Sequence, residues 1–199
     1  MTRVFDDTGK SIAVTVVHAA GNVVHQIKTD DVDGYCAVQL GFGETEERKL
    51  TKPELGHFKK LGTTPSKIVK EFRLEKNDDE IKTGQVIGVE VFENIKFVDV
   101  TGTSKGRGHA GTIKKYNFQR GRKTHGNTNY RERGSAGANS YPARVFPGLK
   151  MSGHYGDEQV TVKNLEVVQI DKDNGLVFLR GAIPGCNKGI VYIRKTKQG

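Results

Sequence analysis

The 199-residue sequence has no tryptophan, two methionines and two cysteines. Cys36 and Cys186 stand far apart with no CxxC at either. Neither a zinc knuckle nor a disulfide framework is indicated, and both thiols are expected as small buried hydrophobic side chains. No run approaches the ~18 apolar residues of a membrane-crossing helix. The opening MTRVFDD lacks the basic-then-apolar pattern of a secretion signal, so the expected setting is the cytosol. Acidic residues are nearly missing from one long stretch: Lys105 to Gly156 holds eleven Lys and Arg, ten Gly and a single acid, Glu132.

That scarcity explains the overall charge of +9. Before Lys105 there are 14 basic and 17 acidic residues, within the stretch 11 and 1, and after it 7 and 5, giving nets of −3, +10 and +2. The positive charge therefore belongs to one block, as in an arm or patch built for a polyanion. A membrane surface is disfavoured as that polyanion, because the block has no sustained apolar face at helical spacing.

Elsewhere, short runs rich in Val and Ile are bounded by Gly, Asp and Asn. IAVTVV (12–17), NVVHQIK (22–28), YCAVQLGF (35–42), VIGVEVF (86–92), KFVDVTG (96–102), VTVKNLEVVQI (160–170), GLVFLRG (175–181) and GIVYIRK (189–195) read as strands. DKDNG (171–175) reads as a hairpin turn. Eight short strands predict a mainly β fold, a barrel or sandwich. Between Lys52 and Leu74 the pattern changes. Pro53 suits a first helical turn, ELGHFKKLG follows, and SKIVKEFRL after Pro65 sets Ile68, Val69 and Phe72 on one side, so one or two short helices are expected.

Strands stop near Thr101 and resume near Val160, so the basic block is an insertion pinned at both ends. The predicted organisation is 1–104 as the first part of the body, 105–156 as an extended insertion, and 157–199 as the second part. Ordering backbone costs roughly 1–2 kcal/mol per residue, which so few apolar side chains cannot offset. A partner is expected to supply the order.

Within the block, GRGHAG (106–111) matches G-x-G-x-x-G after a strand, but basic residues follow it and no acid appears before Glu132, so the dinucleotide reading fails. No P-loop pattern occurs, and His109, His125 and His154 lack neighbouring Cys or paired carboxylates. No nucleophile and base with an orienting group emerge, so no catalytic site, metal, cofactor or small-molecule substrate is proposed. Nucleic acid fits better. Glycines admit close approach of a phosphate ribbon, Arg and Lys neutralise it, and Tyr116, Phe118, Tyr130, Tyr141, Phe146 and Tyr155 can stack on unpaired bases. An irregular basic arm without a recognition helix favours folded RNA over duplex DNA. Two alternatives from other classes remain: a nucleotide-dependent enzyme using the GRGHAG turn, and a mobile RNA chaperone.

The runs VDVTGTSKGRGHAGTIKKYNF (98–118), GSAGANSYPARVFPGLKMSGHYGDEQVTVKNLEVVQID (134–171) and LVFLRGAIPG (176–185) strongly resemble bacterial-type universal large-subunit ribosomal protein three. MTRVFDDTGKSIAVTVV and KPELGHFKK carry the resemblance across essentially the whole chain. It implies a β-barrel body of the translation-protein type and a long extension threading through large-subunit rRNA toward the peptidyl-transferase centre. It also implies an architectural role in assembly within a cytoplasmic or organellar ribosome, with no enzymatic act. Large-subunit proteins fourteen and nineteen are the implied protein neighbours.

Gly102, Ser104, Lys105, Gly106, Arg107, Gly108 and Gly111 fall in the family's signature, where the extension leaves the body. Gly134 to Ser140 fall near its tip, and Lys150, Met151, Gly153, His154 and Gly156 on the returning limb. Together with the block's composition, this makes the expected rRNA-binding residues Ser104, Lys105, Gly106, Arg107, Gly108, Gly111, Lys114, Lys115, Arg120, Arg122, Lys123, His125, Arg131, Arg133, Gly134, Ser135, Gly137, Ala138, Asn139, Arg144, Lys150 and His154. Lys115 stands where the family usually has Arg, which keeps the charge and loses the bidentate fork. Family members also carry a short Gly- and Lys-rich segment ahead of the MTRVF stretch, where this sequence starts at Met1. Ala138 occupies the position of a glutamine that is methylated in some bacterial members. Mass spectrometry of the 134–144 peptide is therefore expected to find no side-chain methyl group.

Overall fold

The computed structural model describes residues 1–75 and 81–196. The elements are β1 (Thr2–Phe5), β2 (Ser11–His18), β3 (Asn22–Lys28), α1 (Asp30–Asp33), β4 (Ala37–Glu44), α2 (Lys52–Leu61), β5 (Ser66–Arg73), β6 (Val86–Ile87), β7 (Phe97–Thr103), β8 (His109–Ala110), α3 (Thr112–Tyr116), β9 (Gly153–His154), β10 (Gln159–Asp171), β11 (Leu176–Arg180) and β12 (Val191–Lys195). The protein is mainly β, as expected. Six strands bond in the order β1-β2-β11-β10-β7-β12, four in the order β5-β4-β3-β6, and β8 pairs with β9. Two compact units divide the chain: Met1–Val98 with Asn164–Ala182 and Lys195–Gly199, and Asp99–Lys163 with Ile183–Arg194.

In the first unit β2 runs antiparallel to β11, with Val17 opposite Val177 and Thr15 opposite Leu179. Val14, Val177 and Leu179 are fully buried there. The Thr15 hydroxyl, also buried, donates to the Gly181 carbonyl at 2.6 Å, which satisfies a polar group inside the apolar layer. The DKDNG hairpin closes as expected. The Asp171 carboxylate accepts from the backbone N–H of Asn174 at 3.1 Å and from its side-chain amide at 2.8 Å, which holds the Asp171 carboxyl below its ordinary range.

Three local expectations are corrected. Residues 66–73 form strand β5 rather than a second helix, paired along their length with β4 from Ser66↔Glu44 to Arg73↔Ala37. Gly62, left-handed at φ 64°, ends α2, and Pro65 then disfavours a helical Thr64. The β-branched Ile68 and Val69 suit a pleated edge, and cross-strand bonding overrides the helical spacing. Within 86–92 only Val86–Ile87 is strand, and Val89–Phe92 is a 3-10 turn that buries Val89. Cys36 is half-buried and Cys186 exposed, both with free thiols. Cys186 sits in a surface turn whose carbonyl accepts the Gly189 N–H at 3.1 Å. Strand β1 is an addition to the expected set, made by its antiparallel register with β2.

Helix α2 starts as expected beside Pro53. The Thr51 backbone N–H and hydroxyl donate to the Glu54 carboxylate at 2.9 and 2.8 Å, which keeps that carboxyl below its ordinary range. The helix buries Phe58 edge-on against His25, with ring centroids 5.1 Å apart. His25 is fully buried on β3. Its Nδ1 bonds the Thr63 hydroxyl at 2.8 Å and its Nε2 the Ser66 hydroxyl at 2.9 Å. Gly41 on β4 makes room for it, since a Cβ there would overlap the imidazole. One ring therefore ties β3, β5 and the chain after α2 together, and only glycine fits beneath it.

Burial, and secondarily His57, lowers the His25 pKa below its ordinary 6.5. The unfolded chain then binds a proton that the folded chain refuses, so this contribution is complete above the unfolded value and lost as pH falls below it toward the folded one. The melting temperature is expected to decline on acidification from about pH 7.5 to about pH 5.5, with a slope of at most about 1.4 kcal/mol per pH unit for one proton. His25→Gln is expected to flatten that slope while costing about 1–3 kcal/mol at neutral pH through unpaired hydroxyls. Thermal unfolding followed by circular dichroism checks both. A wild-type curve that does not move over this range contradicts the assignment.

Candidate nucleic-acid interface

The basic block lies wholly in the second unit and begins at a closed neck. The Ser104 N–H donates to the Glu158 carbonyl at 2.9 Å, and the Glu158 N–H returns a bond to Ser104 Oγ at 3.2 Å. Arg107 N–H donates to the Tyr155 carbonyl at 2.8 Å and Tyr155 N–H to the Gly108 carbonyl at 2.9 Å. Strands β8 and β9 then pair His109 with His154 and Ala110 with Gly153. Gly156, buried and left-handed at φ 74°, turns directly beneath the Lys105 carbonyl, where a Cβ would collide with the oxygen. Ser104, Gly108 and Gly156 therefore serve first to clasp the two limbs.

Beyond the neck, α3 makes a single turn, with Lys115 N–H donating to the Gly111 carbonyl at 3.0 Å. From there the chain has almost no interior. Residues 113–155 include none that is buried, and within 119–152 only Tyr130, Arg133 and Pro142 are even half-covered. Local polar turns replace a core. Asn127 donates to the Arg122 carbonyl at 2.7 Å, Gly121 N–H to the Tyr130 carbonyl at 3.2 Å, and Arg133 Nε to the Lys150 carbonyl at 2.8 Å. At the far end the Ser135 hydroxyl donates to the Gly137 carbonyl at 2.9 Å, and Asn139 forms a bridge with Pro142.

The cations are arranged by chemistry that the sequence does not display. Arg107 lies 5.0 Å from the Tyr155 ring centroid, Lys115 and Lys150 lie 5.3 and 5.7 Å from that of Tyr116, Lys123 5.7 Å from Tyr130, and Arg144 5.5 Å from Phe146. Phe118 packs near Tyr116, with centroids 6.3 Å apart. These rings are thus docked by the chain's own cations, so they are not all free base platforms. Lys115 and Tyr116 are sequence neighbours, but Arg107 and Tyr155 meet only because the limbs are clasped. Tyr116, Tyr130, Phe146 and Tyr155 belong to the site as anchors, a role that composition alone could not assign.

Arg120, Arg122, Arg131, Lys105 and Lys114 are exposed, as are His125, Gly134, Ser135, Gly137, Ala138, Asn139 and His154. Among the described residues none of the eleven cations of 105–156 enters an ion pair, whereas Lys28, Lys49, Arg48, Lys172 and Arg180 elsewhere all do. Among the described residues no group of three His, Cys, Asp or Glu side chains comes together to hold a metal, and no helix is long and apolar enough to cross a membrane.

The neck's tolerance is testable. Gly156→Ala places a methyl against the Lys105 carbonyl in a backbone region that costs a non-glycine residue about 1–3 kcal/mol. Limited trypsin digestion is expected to cut the wild-type protein at exposed Arg120, Arg122 and Arg131 while sparing Arg107. In the variant, Lys105 and Arg107 become cleavable at the same dose.

A family profile described as ribosomal protein L3 matches residues 18–177. The chain is 51% identical over 197 residues to the large ribosomal subunit protein uL3 of Thermotoga petrophila, covering 99% of this chain and 93% of that one. It is 49% identical to the protein of the same name from Thermosipho africanus, covering 100% and 95%, and 45% identical to that from Alkaliphilus metalliredigens with the same coverage. With the family profile spanning most of the chain and half its residues shared with these relatives from end to end, the chain belongs to the ribosomal protein L3 family.

Proposed function

We propose that this protein is a structural constituent of the large ribosomal subunit that binds 23S-type rRNA through residues 105–156. In this reading the segment is an extension from a β body formed by 1–104 and 157–199. The protein helps nucleate subunit assembly and supports the peptidyl-transferase region from outside the chemistry. It performs no reaction and works in the cytoplasmic ribosome, beside large-subunit proteins fourteen and nineteen. The observation that carries the reading is the set of unpaired cations. Eleven positive side chains share a segment with one acid and no ion pair among the described residues. Their mutual repulsion opposes a compact free state, and a phosphate backbone relieves it while releasing counterions.

The expected rRNA-binding residues divide by task in this reading. Arg120, Arg122, Arg131 and Lys114 face solvent without a protein partner among the described residues and meet phosphates directly. Arg107, Lys115, Lys123, Arg144 and Lys150 are held over rings and present their charge at set positions. Ser104, Gly108 and Gly111 shape the neck that aims the limbs, while Lys105, Gly106, His125, Arg133, Gly134, Ser135, Gly137, Ala138, Asn139 and His154 line the path.

Sedimentation of a cell extract at high salt is expected to place the protein with the large subunit at one copy each, released by ribonuclease. In binding to transcribed large-subunit rRNA, replacing Arg120, Arg122 and Arg131 with Ala is expected to flatten the log–log salt dependence by about 2 to 3. Protein remaining at the top of the gradient, or an unchanged slope, contradicts the reading.

A further inference from the structure

Tyr141 stands apart from the other rings of the extension. It is 89% exposed, more than any other Tyr or Phe among the described residues. The rings of Tyr116, Tyr130, Phe146 and Tyr155 each have a cation over them, and Phe118 lies against Tyr116. No cation or ring among the described residues lies over either face of Tyr141. Its backbone is nonetheless held. Pro142 restricts the residue before it to extended conformations, Asn139 bridges Pro142, and Ser135 bonds the Gly137 carbonyl in the same turn. A ring presented this way adds nothing to the fold, because its apolar surface stays in water.

From this we infer that Tyr141 is a stacking platform for an unpaired nucleobase, at which the extension grips single-stranded rRNA by ring contact as well as by charge. This rests on the RNA-binding reading and adds a specific contact to it. Two observations favour a base over an apolar protein pocket. Residues 134–149 contain no acid and carry Arg144 close by, so the nearest large polyanion is drawn to the same place. The ring's sequence neighbours Ser140, Pro142 and Ala143 are small or polar, and of the exposed apolar side chains that follow, Phe146 already carries Arg144 over its ring, so positive charge is interleaved with the apolar surface here, as base stacking beside a phosphate backbone requires. A planar π face accepts any base, while the stiff turn limits the entropy lost on stacking.

The test uses the full chain bound to transcribed large-subunit rRNA, and large subunits isolated from cells that express it. Short-wave ultraviolet irradiation, nuclease and trypsin digestion and mass spectrometry are expected to find a nucleotide adduct on Tyr141 within the 134–144 peptide. Tyr141→Phe is expected to bind as the wild type does. Tyr141→Leu, which keeps apolar bulk and loses the planar face, and Tyr141→Ala are expected to weaken rRNA binding about 5- to 100-fold without changing the salt slope. Three results overturn the proposal: adducts on other extension peptides with none on 134–144, Leu binding as tightly as Tyr, or cross-links from Tyr141 to protein alone. In each of them the RNA-binding reading survives. If no peptide of the extension cross-links to RNA and the wild-type chain does not bind rRNA, that reading fails as well.

Discussion

Like charges at close quarters repel, and a segment carrying ten net positive charges has two ways to remain in one place: neutralise them internally or fasten the backbone by other means. Residues 105–156 take the second course. Hydrogen bonds between Ser104 and Glu158 and between Arg107, Gly108 and Tyr155 close their base, a two-residue ladder continues them, and ring faces rather than carboxylates hold several cations. A carboxylate partner would cancel the charge it fixed. A tyrosine ring fixes the cation and leaves its charge available, which is the requirement of the proposed contact with phosphate.

The first unit solves the opposite problem. Its buried and half-buried polar groups are paired within the chain: buried His25 between two hydroxyls, buried Thr15 on a carbonyl, and half-buried Lys28 between the Tyr35 hydroxyl at 2.7 Å and Glu71 at 2.9 Å. The hydrogen bond with the Tyr35 hydroxyl, and after it the Glu71 carboxylate, raise the Lys28 pKa, and Lys28 in turn lowers that of Glu71. Among the described residues the ion pairs thus lie outside 105–156, and the cations of that segment have none. The contrast lies within one chain of one overall sign.

Much of this was readable from residue order. The Val- and Ile-rich runs between turn residues marked most strands, because period-two patterns bounded by Gly, Asp and Asn have few other stable outcomes. The start of α2 at Pro53 and the Asp171 hairpin were legible for the same local reason, whereas the Thr51–Glu54 cap emerged only in the structure. Strand β5 was not: Ile68, Val69 and Phe72 satisfy a helical face as well as an edge strand, and only the partner β4, with its bonding groups already in place, decides between them. The two exposed or half-exposed cysteines show the same limit, since burial is set by what packs around a residue.

For the candidate site, charge and composition marked the segment and its cations, because a one-sided charge balance survives any folding of the chain. The resemblance to known sequences identified the family. What the linear order could not carry was pairing across distance. Arg107 and Tyr155 are remote in sequence and in contact in space, and Gly41 is required because His25 fills the volume above it. The sequence by itself determined the strand-rich character of the protein, the place of its positive charge and the family it belongs to, all of which depend on local pattern. Tertiary structure alone decided which rings of 105–156 have a cation over them and that Tyr141, among the described residues, has none, because that depends on which side chains come within reach in space, as Arg107 and Tyr155, and Lys150 and Tyr116, do across the two limbs.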